Sequence, residues 1–174
     1  YPSSECLENS KKYISSIWTQ LCQKFGNYDN HLIFESINEP RLSGTNFEWW
    51  FDKNSAQCID AANCINELNQ LFVDTVRASG GNNASRYLMC PGYSASASSA
   101  LMDEFKLPKD SVQNRLIVSV HAYTPYNFAL QGFNENGSKS DFKASNPSDT
   151  GEITSFMDSL YQKFISNGIP VVIG

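Results

Sequence analysis

The sequence has no run of basic residues, no long apolar segment and no paired cysteine motif. Its 13 Lys and Arg residues face 18 Asp and Glu residues, and the resulting net charge of -5 argues against a nucleic acid as partner. No stretch approaches the ~18 apolar residues that a membrane-spanning helix needs. With 174 residues, of which 41% are hydrophobic, the chain can bury one sizeable core. We therefore expect a globular unit with a single core that binds neither nucleic acid nor membrane.

Cysteine and histidine are sparse and lack the spacing of a metal site. The five cysteines include no C-x-x-C pair, and only two histidines are present, so we expect no bound metal. Cys22 and Cys90 fall on apolar faces and are expected to be buried thiols. Cys58 and Cys64 bracket one short segment and could form a disulfide. An odd count leaves at least one cysteine unpaired.

The hydrophobic pattern predicts four helices that alternate with four strands. Apolar residues at helical spacing mark the helices, and short apolar runs bounded by turn residues mark the strands. The strands are near-continuous apolar runs, which is typical of parallel sheets covered on both faces. The predicted strands are His31–Ile37, Tyr87–Cys90, Arg115–His121 and Pro170–Ile173. The fold class is thus α/β, either an open doubly wound sheet or part of a (β/α)8 barrel.

Two features favour the barrel. No glycine-rich phosphate loop follows any strand, so the nucleotide-binding form of the doubly wound sheet lacks its signature. In addition, polar or aromatic residues follow three strands at their carboxyl ends, where a barrel gathers its catalytic groups. These residues are Asn38 and Glu39, then Tyr93, then His121 and Tyr123.

Glu39 is the candidate catalytic residue. It follows the predicted strand that begins at His31, and Pro40 ends that strand because proline lacks the N–H that a ladder needs. A carboxyl group at this edge can act as a general acid or base. The alternative is that Asn-Glu-Pro simply begins a loop. Glu35, four residues earlier, is expected to have a structural role.

Three segments resemble one known family. Phe34–Pro40 with its Asn-Glu-Pro, Val118–Tyr123 and Ile169–Gly174 occur in the same order in glycoside hydrolase family 5, and the chain resembles the endoglucanases of gut microbes within it. The resemblance implies that residues 1–174 are a single fragment of a catalytic domain. It would run from about the third helix to the seventh strand of a (β/α)8 TIM barrel.

The resemblance also implies a set of roles. Glu39 would be the acid/base of a retaining hydrolase that cleaves β-1,4-glucosidic bonds of cellulose or related β-glucans without a cofactor. Asn38 would hydrogen-bond the sugar 2-hydroxyl, and His121 and Tyr123 would line the same subsite. The nucleophilic glutamate would follow Gly174 directly, so we expect these 174 residues alone to be inactive.

Aromatic residues are candidates for further sugar contacts. Trp49 and Trp50 lie in the loop after Glu39 and Tyr93 follows the next strand, and flat rings suit the apolar faces of sugars. Packing at the start of a helix is an equal alternative for each tryptophan.

The sequence is compatible with more than one substrate and with a secreted location. A mannanase, a xyloglucanase, a mixed-linkage glucanase or a non-catalytic module that binds polysaccharide or a protein partner is also compatible with the sequence. Two N-x-Ser sequons, at Asn83 and Asn136, are compatible with the secreted, extracellular location that a polysaccharide hydrolase would have. The whole protein could carry carbohydrate-binding or docking modules.

Overall fold

The computed structural model describes residues 1–174 as alternating helices and strands. The major helices are amphipathic and pack their apolar stripes on the sheet. The elements are α1 (Leu7–Phe25), β1 (Phe34–Glu35), α2 (Ala56–Ala78), β2 (Leu88–Ser96), α3 (Ala97–Leu101), β3 (Leu116–His121), α4 (Tyr126–Ala129), α5 (Pro147–Lys163) and β4 (Val171–Ile173), with 3-10 turns at Gly81–Ala84 and Ile165–Asn167. None of the helices has the length and apolar character needed to cross a membrane.

The four strands form one parallel sheet in the order β1-β2-β3-β4. Each strand pairs with the next one along the chain, so the sheet has no point at which the strand order reverses. A doubly wound sheet contains such a reversal, whereas a (β/α)8 barrel does not. The topology therefore agrees with part of a barrel, and all four carboxyl ends lie at one edge.

The core lies between the sheet and the helices. Trp18 and Cys22 of α1 pack with Phe72 of α2 and Phe34 of β1, which confirms the predicted apolar stripe of the first helix. The Trp18 indole also donates to the Ser36 carbonyl over 3.1 Å and so fixes the end of β1. A second cluster, formed by α3, β3 and α5, covers the other half of the sheet.

Strand β2 is longer than the sequence pattern predicts. The pattern ends it at Cys90, yet Pro91 pairs with Ser119, and the ladder then shifts register before Ser96 pairs with His121. The carbonyl of Pro91 accepts a 2.9 Å bond from the Asn69 side chain, so this irregular stretch is held by side chains as well as by the ladder. Strand β1, in contrast, is only two residues long.

Two possibilities that short motifs left open do not fit the fold. Cys58 and Cys64 lie six residues apart on α2, about 9 Å along its axis at the usual helical rise, which is too far for a disulfide, and all five cysteines are free. Asn83 is 1% exposed, and its amide nitrogen donates to the Cys22 carbonyl over 3.3 Å. That sequon is closed to glycosylation in the folded protein, whereas Asn136 is exposed.

Candidate active site

Glu39 lies at the carboxyl edge of the sheet, four residues beyond the last residue of β1. Its backbone is left-handed, with φ of 41°, a conformation that costs a residue with a side chain about 1–3 kcal/mol and concentrates at functional sites. The next residue, Pro40, accepts a 2.8 Å bond at its carbonyl from the Ser94 N–H. Ser94 belongs to the irregular end of β2 and also has a positive φ, of 46°. The bend in β2 therefore fastens the turn that presents Glu39.

His121, the last residue of β3, meets Glu39 across the end of β2. Its Nδ1 lies 2.8 Å from Oε1 of Glu39, and each side chain is 17% exposed. Two of the predicted site residues are thus brought together by the tertiary fold. A half-buried carboxyl group held by an imidazole is suited to proton transfer, since its orientation is fixed and water reaches it only partly.

Arg41 contacts the other side of Glu39. Its Nη1 donates to the Glu39 carbonyl over 3.1 Å and lies 3.5 Å from Oε2 of the same residue. The guanidinium also donates through Nε to Glu48 over 3.3 Å, and its carbon lies 4.0 Å from the centre of the Trp49 ring. Both carboxylate oxygens of Glu39 therefore face a nitrogen of a neighbouring side chain.

Glu48 is the counter-ion of Arg41. Its Oε2 accepts a 3.0 Å bond from the Gly44 N–H. This backbone bond and the Arg41 guanidinium hold the pKa of Glu48 below its usual value, so the carboxylate is ionised at neutral pH. The loop after β1 thus carries a negative charge at Glu48, and this charge holds Arg41 in position.

Exposed aromatic rings surround a large cavity beside His121. Trp49 and Trp50 are 53% and 78% exposed, and Tyr123 is 52% exposed. With His121 they line a cavity of about 760 Å³. Trp49, Trp50 and Tyr123 are therefore accessible and line the same cavity.

Asn38 and Glu39 line a second cavity, of about 610 Å³. Asn38 is exposed, with its amide free to contact a ligand. The bond between Glu39 and His121 lies between the two cavities, because Glu39 borders one and His121 borders the other.

Tyr93 does not belong to this surface. It is 3% exposed, and its hydroxyl donates to the Phe47 carbonyl over 2.6 Å and accepts from the Leu42 N–H over 3.0 Å. The ring has no open face for a sugar, so its predicted role in substrate binding does not fit the structure. The reason is the extension of β2, which carries Tyr93 into the core beneath the loop of Trp49.

Glu35 has the structural role that was predicted for it. Its side chain accepts a short hydrogen bond from the Ser119 hydroxyl of β3. This contact joins β1 to β3 across β2. The carboxyl groups of Glu35 and Glu39 therefore have different partners.

The end of β4 reaches the same place. The Gly174 N–H donates to the Val120 carbonyl over 2.9 Å, and a Cβ atom at Gly174 would lie 3.4 Å from Cδ2 of His121. The carboxyl ends of β1, β3 and β4 thus converge around His121. No group of three His, Cys, Asp or Glu side chains is arranged to hold a metal ion.

Sequence reasoning missed Arg41 and Glu48. A cation two residues after a candidate acid is a local signal that could have identified Arg41. Glu48 had no such signal, because its distance from the site depends on how the loop folds back at Gly44.

The model of the cellulase family, glycosyl hydrolase family 5, matches residues 2–174. Endoglucanase B of Neocallimastix patriciarum is 45% identical over 168 residues, which cover 97% of this chain and 33% of that protein. Endoglucanase 1 of Ruminococcus albus is 45% identical over 161 residues, 92% of this chain and 36% of that protein. The chain thus spans about a third of the length of these relatives.

Solved structures show the same fold. A lichenase of glycoside hydrolase family 5 from Caldicellulosiruptor sp. F32, as a variant in complex with cellotetraose, is 58% identical with a TM-score of 0.98. A broad specificity endoglucanase from Ruminococcus champanellensis with bound cellotriose is 42% identical with a TM-score of 0.86. Each alignment covers 100% of this chain and 47% of the solved chain. The fold is therefore part of a (β/α)8 barrel, as the sequence predicted.

Proposed function

Because the chain belongs to the cellulase family, glycosyl hydrolase family 5, we propose that the protein containing it cleaves internal β-1,4-glucosidic bonds of a β-glucan. Glu39 is the general acid and base of the reaction. The observation that carries this proposal is the position of its carboxyl group, 2.8 Å from His121 at the carboxyl edge of the sheet and between two cavities.

The chemistry follows the double displacement of retaining glycosidases. Glu39 donates its proton to the departing glycosidic oxygen while a second carboxylate, about 5–5.5 Å away, attacks the anomeric carbon. Glu39 then accepts a proton from the water that releases the sugar. An N–H at His121 Nδ1 stabilises Glu39 whenever its carboxyl group is ionised, and this orients it for the second step.

The second carboxylate is expected to follow Gly174 directly. The end of β4 lies against the His121 ring, since a Cβ atom at Gly174 would be 3.4 Å from its Cδ2. A glutamate at the next position would therefore lie close to His121, the residue that contacts Glu39. We propose that this residue is the nucleophile of the reaction.

The proposed substrate is a β-glucan such as cellulose or a mixed-linkage glucan. Support comes from the names and bound ligands of the similar proteins, a lichenase with cellotetraose and an endoglucanase with cellotriose. In this chain, Asn38 would contact a sugar hydroxyl, while Trp49, Trp50 and Tyr123 would stack on sugar rings. A xyloglucan or mannan substrate is the alternative.

We also propose that the protein acts outside the cell. A polymeric glucan cannot cross a membrane, so an endo-acting hydrolase must meet it in the medium. Glucanase activity that was found only in the cell lysate, and neither in the culture fluid nor at the cell surface, would contradict this.

The test compares two glutamate variants of the full-length protein. Glu39→Gln should lower hydrolysis of carboxymethyl-cellulose by about 10²–10⁴-fold, since the proton donor is lost. Glu35→Gln changes a carboxyl group at the end of β1 that accepts a hydrogen bond from Ser119, and serves as the matched control with activity near that of the wild type. Glu39→Gln activity near the wild-type rate would exclude Glu39 as the proton donor.

Two further measurements identify the substrate and the alternative class. Lichenan and mannan are assayed beside carboxymethyl-cellulose, and a preference for mannan would overturn the β-glucan proposal. Folded wild-type protein that binds these polymers without cleaving any of them would indicate a binding module instead.

A further inference from the structure

Arg41 joins the acid/base to one wall of the substrate cavity. We infer that Arg41 is a positioning residue that holds Glu39 in its reactive orientation and couples it to the Trp49 ring. This inference rests on the proposed function of Glu39. It adds a residue that contacts the catalytic group and the aromatic surface at the same time.

The contacts to Glu39 fix both its backbone and its side chain. Nη1 of Arg41 donates to the Glu39 carbonyl over 3.1 Å and lies 3.5 Å from Oε2. Since His121 contacts Oε1, the two carboxylate oxygens have different neighbours and the group has little freedom to rotate. The carbonyl contact also supports the left-handed turn at φ of 41°, which is costly without such support.

The contact to Trp49 fixes the aromatic wall. The guanidinium carbon lies 4.0 Å from the ring centre, the geometry of a cation–π contact. Arg41 covers one face of the ring, and the ring is nevertheless 53% exposed, so its remaining surface is open to the cavity. A sugar that stacks on Trp49 would therefore contact a ring whose position depends on Arg41.

Glu48 holds the guanidinium in the plane that both contacts need. Its Oε1 accepts from Nε of Arg41 over 3.3 Å, and its other oxygen is fixed by the Gly44 N–H. An isolated exposed ion pair would contribute little, about 0–1 kcal/mol. Here the pair instead orients a planar cation, which is 24% exposed, for two other partners.

These contacts require arginine rather than any cation. Three of them use different parts of the group, namely Nη1, Nε and the flat face. A lysine ammonium supplies a point charge without the planar fork and cannot make all three at once. Substitution by lysine therefore separates the effect of charge from that of geometry.

The experiment measures Arg41→Met and Arg41→Lys in the full-length protein on two substrates. Carboxymethyl-cellulose has a leaving group that needs a proton, whereas dinitrophenyl β-cellobioside has one that leaves without it. We expect Arg41→Met to lower kcat on the glucan about 10–100-fold, on the scale of a misplaced general acid, with a much smaller loss on the aryl substrate. Arg41→Lys should also lower kcat on the glucan, but by a smaller factor.

Arg115→Met is the matched control. Arg115 also stacks on an aromatic ring, with 4.4 Å to the centre of Tyr87, but it precedes β3 at the opposite edge of the sheet. We expect its loss to leave the ratio of the two activities unchanged. Equal losses on both substrates for Arg41→Met, or wild-type activity in Arg41→Lys, would overturn the inference.

A double-mutant cycle tests the link to Trp49. Trp49→Ala should raise KM for the glucan in the wild-type background and raise it less in the Arg41→Met background, because the ring is already released. Strictly additive effects would overturn the coupling. Failure of the proposed function is recognised separately, by a wild-type protein that cleaves no glucan or a Glu39→Gln variant that still does.

Discussion

Nδ1 of His121 lies 2.8 Å from Oε1 of Glu39, although 82 residues separate them along the chain. The contact exists because β1 and β3 flank β2 and all three strands end at one edge of the sheet. It gives the carboxyl group one fixed partner on the side away from Arg41. Several properties of the protein follow from this site and from the structure that supports it.

Replacement of His121 by alanine should lower glucan hydrolysis about 10–100-fold. One hydrogen bond to a charged group contributes about 1.5–3 kcal/mol, which corresponds to a rate factor of that size. Steady-state kinetics on carboxymethyl-cellulose would measure it. Since His121 is at a strand end, the thermal midpoint should change little, and a fully folded variant with unchanged kcat would contradict the assigned contact.

Tyr93→Phe should lower stability without weakening substrate binding. The hydroxyl joins the Leu42 N–H and the Phe47 carbonyl, so its loss leaves a buried donor and acceptor unpaired at a cost of about 1–3 kcal/mol. Urea unfolding and KM measured on the same preparation would separate the two effects. A raised KM with unchanged stability would restore the role in substrate binding that the sequence suggested.

The ion pair of Arg77 with Asp110 should make stability depend on acid pH. The two side chains meet through bonds of 2.9 and 2.7 Å and are 8% and 5% exposed. Burial alone would raise the pKa of Asp110, yet the bonds from Arg77 outweigh it and lower the pKa. The pair therefore stabilises the fold above the unfolded-state pKa of about 3.9, and this contribution is lost as pH falls through the lower folded value.

The Asp110→Asn variant tests the direction in which this pair makes stability depend on pH. The variant should lose on the order of 3 kcal/mol at pH 7, because Arg77 is left as a buried and uncompensated cation. Urea unfolding at a series of pH values should show the gap between variant and wild type narrowing below about pH 4. A gap that widened toward acid pH would contradict the assignment.

Arg86→Met should be among the most destabilising single substitutions. Arg86 is 0% exposed and donates to the carbonyls of Asp29, Leu32, Phe25 and Tyr28 and to the Asn83 side chain, over 2.6–3.3 Å. Its loss leaves several buried acceptors without a donor, at a cost of about 3–5 kcal/mol.

Arg115→Met is again the control for Arg86→Met, since Arg115 is only half-buried and stacks on Tyr87. Circular dichroism during heating would compare the two. A thermal midpoint of Arg86→Met equal to that of the control would show that the bonds from Arg86 to the surrounding carbonyls do not stabilise the fold.

The cysteines should react slowly in the native protein. Cys22, Cys58, Cys64 and Cys90 are buried, and burial raises the pKa of Cys64 to about 11, so little thiolate forms at neutral pH. Iodoacetamide labelling followed by peptide mapping should modify Cys6 first and the other four only after unfolding. A peptide that links Cys58 to Cys64 would contradict the structure.

The sequence by itself determined the order of the four strands and the longer helices, the parallel sheet and the position of Glu39 beyond the first strand, but it did not indicate the short helix α4. These features depend on local patterns, namely apolar stripes of helical spacing, apolar strand runs and an Asn-Glu-Pro turn, and such patterns survive in any α/β context. The position of His121 was also predictable, because a polar residue that ends a strand of a barrel lies at the carboxyl edge of the sheet.

The tertiary structure alone decided what Tyr93, Arg41 and Glu48 do. Tyr93 was misplaced because the ladder of β2 continues past Pro91 with a register shift, and a proline in the sequence does not reveal whether its missing N–H was needed. The contacts of Arg41 and Glu48 arise from a loop that folds back at Gly44 to bring Trp49 against the guanidinium. Contacts of this kind join residues through space, and no periodic pattern along the chain records them.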